Sequence, residues 1–182
     1  MKLPDDPRLG DGVVVLRRHA ERDAEAFDEM RHDADVQRWA LGGPPAGPAA
    51  DSLAFYRSMW ESGELAMLAI TLDGEDGFLG HTGLFLQGKT FGVAELGYIL
   101  GPRGRGQGLA TRAGRVIARW AFDELEVERL EARTHPDNVA SHRVLERLGF
   151  TREGLERASR RLVYGRDRFD AYCWSLLPHE LA

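Results

Sequence analysis

Cysteine is nearly missing from this sequence: Cys173 is the only one in 182 residues. That single count excludes a disulfide scaffold, a thiolate zinc site and CxxC redox chemistry together. The lone thiol, in a strand-like run, reads as core packing. Long apolar runs are also lacking. The longest, such as Leu65 to Ile70 and Ala171 to Leu177, fall far short of the roughly 18 residues of a membrane-spanning helix. The opening Met1-Lys2-Leu3-Pro4-Asp5-Asp6 has no apolar stretch behind a basic start, so no secretory signal is expected and the expected location is cytoplasmic. Lysine occurs only at Lys2 and Lys89, against 22 arginines, a compositional bias that says nothing about chemistry. No repeat and no second domain is visible, and residues 1–182 read as one domain.

What the sequence does hold is charge of uneven distribution. The net charge of −5 argues against broad nucleic-acid binding. Yet Arg103, Arg105, Arg112, Arg115 and Arg119 fall between Arg103 and Phe122 with no acid among them, so that window carries +5 and the remainder −10. Either a solvated helix face or a site for an anionic ligand accounts for such a run.

Apolar periodicity orders the elements. Val13 to Arg17 reads as a strand and Ala20 to Trp39 as a helix with Ala24, Phe27, Met30 and Ala34 on one side. A loop rich in glycine and proline from Gly42 to Pro48 follows, then a helix from Ser52 to Trp60 that ends at Gly63. Leu65 to Leu72, Phe78 to Leu86 and Val93 to Leu100 read as an antiparallel meander. Leu109 to Phe122 is the clearest helix, with Leu109, Ala113, Val116, Ile117 and Trp120 on one stripe. Leu130 to Thr134 is a strand, Val139 to Leu148 a helix stopped by Gly149, and Tyr172 to Leu177 a final strand.

Two glycine-rich runs compete for a phosphate. Gly83 to Thr90 fits the G-x-x-x-x-G-K-[ST] pattern of a P-loop letter for letter. A P-loop needs a helix to begin at its Lys-Thr pair, whereas Phe91-Gly92 and another strand pattern follow here, so a hairpin turn is expected instead. The second run, Gly101 to Ala110, stands between a strand and the strongest helix. No Ser, Thr, Asp or Asn precedes Leu109 to cap that helix, so its first amides are left for an outside acceptor such as a phosphate. The dinucleotide fingerprint G-x-G-x-x-G fails in both registers, because Leu109 and Thr111 stand where its last glycine belongs.

Arg105-Gly106-Gln107-Gly108-Leu109-Ala110 matches the [QR]-x-x-G-x-[GA] signature of the GNAT superfamily of acyl-CoA-dependent N-acetyltransferases, and Asn138 to Phe150 is similar to that family's second conserved segment. The wording from Glu95 to Pro102 resembles the branch named after RimJ and RimL, which acetylate N-termini of ribosomal proteins. The resemblance covers essentially the whole chain. It implies an α+β fold with a mixed, mostly antiparallel sheet of six to seven strands, helices on both faces and a V-shaped splay between strands four and five.

The same resemblance implies acetyl-CoA as cosubstrate, no metal, and direct transfer of the acetyl group to a primary amine, either a protein N-terminus or a small molecule, by a monomer or homodimer acting without nucleic acid or membrane. The amides of Gly106, Gln107, Gly108, Leu109 and Ala110, with Thr111, would hold the pyrophosphate, and Arg103 and Arg105 would add charge. The edge at Ile99 and Leu100 would pair with pantetheine amides, and Asn138 would reach that arm. Glu95 would accept the amine proton through water, unless it is only a strand-edge ion pair. Ser141 would protonate the departing thiolate, unless it is only a small residue packed at a helix start. Many members carry a tyrosine acid seven residues after the Asn; Leu145 stands there, which raises Ser141 and leaves Tyr98 as a second hydroxyl. His135 and His142 flank the same helix start and read as surface or turn histidines. Trp39, Phe55, Tyr56 and Trp60 either line the acceptor side or fill the core. A non-catalytic acyl-CoA-binding or regulatory domain is the alternative reading.

Overall fold

The computed structural model describes residues 2–40, 47–86, 92–161 and 167–182. Eight strands form one sheet in the order β1-β2-β3-β4-β5-β6-β8-β7. They are β1 (Arg8–Gly10), β2 (Val14–Arg17), β3 (Leu65–Leu72), β4 (Gly80–Phe85), β5 (Val93–Leu100), β6 (Arg129–Thr134), β7 (Thr151–Arg161) and β8 (Arg168–Leu176). Helices α1 (Ala24–His32), α2 (Ala34–Trp39) and α3 (Ala49–Ser62) cover one face, and α4 (Leu109–Asp123) and α5 (Val139–Leu148) the other. Every neighbouring pair is antiparallel except β5 and β6.

The strand period of two decides which side chain enters which core. On β3, Ala66, Leu68 and Ile70 pack beneath α4 and α5, while Leu65, Met67 and Ala69 pack beneath α1 to α3. Leu68 and Ile70 are wholly buried, each stabilising the fold by about 1.5–3 kcal/mol. On α4 the buried stripe is Leu109, Ala113, Ile117 and Trp120, and the Trp120 ring stacks on Trp60 at 6.2 Å between centroids. Arg17 of β2 forms a two-pronged pair with Asp23, at 2.8 and 2.7 Å, that ties β2 to the entry of α1. Burial would raise the Asp23 carboxyl, but hydrogen bonds from Arg17 and the Ala20 amide, with the Arg17 charge, hold it below the usual carboxylate range.

Two expectations are corrected. The sheet has eight strands rather than six to seven. Those missed are β1, only three residues long, and β7, whose 11 residues are mostly exposed and so show no apolar alternation. The single helix expected over residues 20–39 is divided, because the Asp33 carboxylate accepts the Val36 amide at 3.0 Å and starts α2 afresh. Of the two readings left open for Trp60, core packing is the one observed, beneath α4. Of the P-loop-like run, Gln87 to Thr90 lie outside the described residues, as do Gly42 to Ala46 of the first loop; Gly83 is within β4, and β5 begins at Val93.

The parallel ladder between β5 and β6 is short: Val93, Ala94 and Glu95 face Arg129, Leu130 and Glu131, and pairing stops there. Beyond it β5 stays with β4 as far as Leu100, and β6 stays with β8 as far as Thr134. The sheet therefore splays between its fifth and sixth strands, which are the fourth and fifth of the sequence reading now that β1 precedes them.

Candidate active site

A cleft of about 680 Å³ opens where β5 and β6 part. At one end, Gly106 and Gly108 both adopt φ +75°, a left-handed conformation that favours glycine, and a Cβ on either would meet nothing within 4 Å. Gly108 is the uncapped N-terminal boundary of α4. The amides from Gly106 to Thr111 find no acceptor among the described residues, and the first three of α4 have none within the helix by geometry. Gln107 steadies the turn, its Nε2 donating to the Arg103 carbonyl at 2.8 Å. With the helix dipole behind them, these exposed amides fit a diphosphate. Among the described residues no strand pairs with the β5 edge at Ile99 and Leu100 on the splayed side, where the Leu100 carbonyl is met only by the Arg105 side chain, and that edge fits the amides of a pantetheine arm.

The arginines of this end are engaged in ion pairs. Arg105 donates to Asp33 at 2.5 Å, to Asp35 at 3.1 Å and to the Leu100 carbonyl at 3.1 Å. Arg103 pairs with Glu29 at 2.8 Å. Their charges are met by acids of α1, α2 and the turn between them, so the glycine loop is stapled to those helices.

On the α5 side, Asn138 caps its own helix, with Oδ1 accepting the Ser141 amide at 3.1 Å. Ser141 is half-buried and lines the cleft with Asn138 and Tyr98. The Tyr98 hydroxyl donates to the Ser141 carbonyl at 3.2 Å. Burial pushes that phenol up, partly opposed by its hydrogen bond with Ser141, so it stays protonated at neutral pH. His142 reaches the His135 carbonyl through Nε2 at 3.1 Å. The His135 ring is itself packed between Trp39 at 5.4 Å and Phe169 at 4.8 Å.

The opposite face of β5 makes the floor of the second half, where Glu95, Gly97 and Ile99 succeed one another beneath Trp39, Phe55 and Tyr56. Glu95 Oε2 accepts from Arg133 at 3.1 Å and from Arg160 at 2.7 Å. Burial raises the Glu95 carboxyl above its ordinary value, opposed by Arg160 and Arg133 and assisted by Glu131 and Glu156. His81, opposite Ile99 on β4, also borders the cleft, and burial, with His19 adding a little, lowers it to about 3 and keeps it neutral.

Residues 14–151 match the acetyltransferase (GNAT) domain family. The chain belongs to the GNAT acetyltransferases. Among its relatives is an uncharacterized N-acetyltransferase, p20, of Bacillus licheniformis, 29% identical over 93% of this chain and 95% of that one. RimJ of Mycobacterium smegmatis, solved in complex with CoA-disulfide, is 25% identical with a TM-score of 0.82 over 97% of this chain and 88% of that one. RimL, a ribosomal L7/L12 α-N-protein acetyltransferase solved without ligand, shares the fold at 17% identity, with a TM-score of 0.82 over 97% and 99% of the two chains. This acetyltransferase therefore uses acetyl-CoA as acyl donor, and the uncapped glycine turn and open β5 edge are of the kind that donor requires.

The cleft of the acetyltransferase gathers every residue expected for it except Arg103 and Gln107, which sit beside the turn. Sequence reasoning missed Arg133, Arg160 and His81. The Glu131-Ala132-Arg133 alternation of β6 was a signal for Arg133 beside a strand-borne Glu95; Arg160 and His81 had none. Among the described residues no helix is long and apolar enough to cross a membrane, and no group of His, Cys, Asp or Glu stands ready to hold a metal.

Proposed function

We propose that the protein transfers the acetyl group of acetyl-CoA to a primary amine, a protein N-terminus or a small-molecule amine, entering from the side of α1 to α3. The supporting observation is the convergence, in one cleft, of an uncapped helix start, an unpaired strand edge and a half-buried carboxylate on the opposite face of that strand. In this reading the amides from Gly106 to Thr111 bind the diphosphate. The backbone of Ile99 and Leu100, with Asn138 nearby, aligns the pantetheine arm. Acetyl-CoA supplies the activated thioester. Glu95 takes the proton of the acceptor's ammonium, directly or through water, and its raised pKa suits it better to that work than a free carboxylate near 4.3. Ser141, at the start of α5, donates to the departing thiolate, and Tyr98 is the hydroxyl beside it. The acceptor is of the kind RimJ-like enzymes use, within the cytoplasm.

The test is turnover of acetyl-CoA with a panel of amines, including peptides with free N-termini, polyamines and amino acids, followed by release of free thiol. Acetylation of at least one amine, lost in Glu95→Gln, is expected. CoA binding by calorimetry without turnover on any amine would instead favour a sensor that kept the cleft and lost the chemistry.

A further inference from the structure

The β7 strand carries an irregularity that the fold alone does not require. Its ladder with β8 shifts register once between Arg152 and Gly154, runs on to Glu156 opposite Ala171, then slips by more, resuming with Arg160 opposite Phe169. Inside the slip Ala158 has φ +47°, a left-handed conformation that costs a non-glycine residue about 1 kcal/mol or more. The strained turn is held from β8: the Ala158 amide donates to Asp170 Oδ1 at 2.7 Å, and Arg168 Nη1 donates to the Ala158 carbonyl at 2.9 Å. A bulge bends a strand and re-aims its side chains.

What it re-aims here is Arg160. In an unbent sheet β7 lies three strand spacings from β5, about 14 Å, well beyond the reach of an arginine side chain. Arg160 Nη2 nevertheless sits 2.7 Å from Glu95 Oε2, so this end of the hairpin curls over the sheet. Arg133 converges on the same oxygen at 3.1 Å, while Glu95 Oε1 accepts from no described residue. The wider network joins Arg129, Arg133 and Arg160 to Glu95, Glu131, Glu153 and Glu156, three cations against four anions. One negative charge is left over; of this network Glu95 and Arg133 line the cleft, and Glu95 is the carboxylate of the two.

We propose that the β7 bulge and Arg160 form a positioning device, which grips Glu95 by Oε2 from across the sheet so that Oε1 meets the ammonium of the acceptor. The proposal rests on the reading of Glu95 given above. Arg160 is a positioning residue and touches no substrate. The charged groups facing Glu95 are Arg133 and Glu131 of β6 and Arg160 and Glu156 of β7; its partner on β4 is Phe85.

The test is a carbon-13 NMR titration of the glutamate carboxyls in the full chain, with the Glu95 signal assigned from Glu95→Gln. In Arg160→Gln the Glu95 midpoint should rise by about half a pH unit or more, because a cation is lost beside a half-buried carboxylate. Arg160→Lys should restore most of it. Asp170→Ala, which releases the bulge without touching Glu95, should move the midpoint the same way. With a peptide bearing a free α-amine as acceptor, the acid limb of kcat/KM should follow the midpoint, giving about a threefold loss on the acid side of the Glu95 midpoint in Arg160→Gln and an unchanged KM for acetyl-CoA. A midpoint unmoved in Arg160→Gln and Asp170→Ala would overturn the positioning device. A midpoint that moves while Glu95→Gln keeps full turnover would overturn the acceptor contact, and with it the reading of Glu95 on which the proposal rests.

Discussion

The two ends of the cleft are built by opposite means. The donor end is one continuous turn, Gly106 to Thr111, whose backbone amides face outward because two glycines take φ +75° and no side chain caps α4. The acceptor end is assembled from side chains of β4, β5, β6 and β7, and its carboxylate is held by arginines 38 and 65 residues away in the chain. A site made of backbone tolerates change in its side chains and fails when the turn is altered. A site made of distant side chains fails when any of the elements carrying them shifts.

The largest expected effect tests the dependence of the acceptor end on its scaffold. Asp23→Ala leaves the buried Arg17 with only the exposed Asp76, 3.9 Å away, as counterion, and removing one member of a buried pair costs about 3–5 kcal/mol. Urea denaturation should show that loss, and α1 should loosen first. Because the folded Asp23 carboxyl is depressed, its contribution is present above the unfolded value of about 4 and fades as pH falls through the folded value. The stability gap between wild type and variant should therefore narrow in acid and be full at neutral pH.

Next in size is Ser141→Ala. A donor to the leaving thiolate acts whatever the protonation state of the amine, so turnover should fall about 10²-fold, evenly across pH, with CoA affinity little changed. Near-normal turnover there, together with a large loss in Tyr98→Phe, would move the acid role to Tyr98.

Gly108→Val tests the donor end. The side chain enters space that phosphate oxygens need and forces a branched residue into φ +75°, so CoA affinity by calorimetry should fall at least about tenfold. Circular dichroism should report an intact fold, since no neighbour lies within 4 Å of a Cβ at that position. The smallest effect belongs to Lys89→Ala, which should leave turnover unchanged; ATP should give no thermal shift in either form, and a shift abolished by the substitution would restore the P-loop reading.

The same contrast explains what the sequence made legible. Gly106 to Ala110 could be read because the chemistry is contiguous, and α4 because its apolar stripe repeats at the helical period over 15 residues. β3 could be read because both its faces are buried, and β5 because apolar residues make up most of its run even where they are only half-buried. β7 could not, since a strand exposed for most of its length has no hydrophobic pattern to display. Arg160 was hidden twice over, by that strand and by a bulge that no local motif announces. The break at Asp33 was written in the sequence as an N-cap within an apolar period, and the period masked it. The five-arginine window was legible as charge but its ion pairs were not, because their partners lie far off in the chain: Glu29, Asp33 and Asp35 for two of the arginines, and Asp11 for Arg112.

Those partners have a consequence for how an anion arrives. With three of the five arginines already carrying internal counterions, the surface around the glycine turn projects little long-range attraction, and few mobile ions need to leave when a diphosphate docks. In the proposed binding mode capture then depends on short-range amide dipoles, which are felt only on contact. The association rate of CoA should accordingly change little between low and physiological salt, where a bare patch of five arginines would slow steeply as the screening length shrinks from about 30 to about 8 Å.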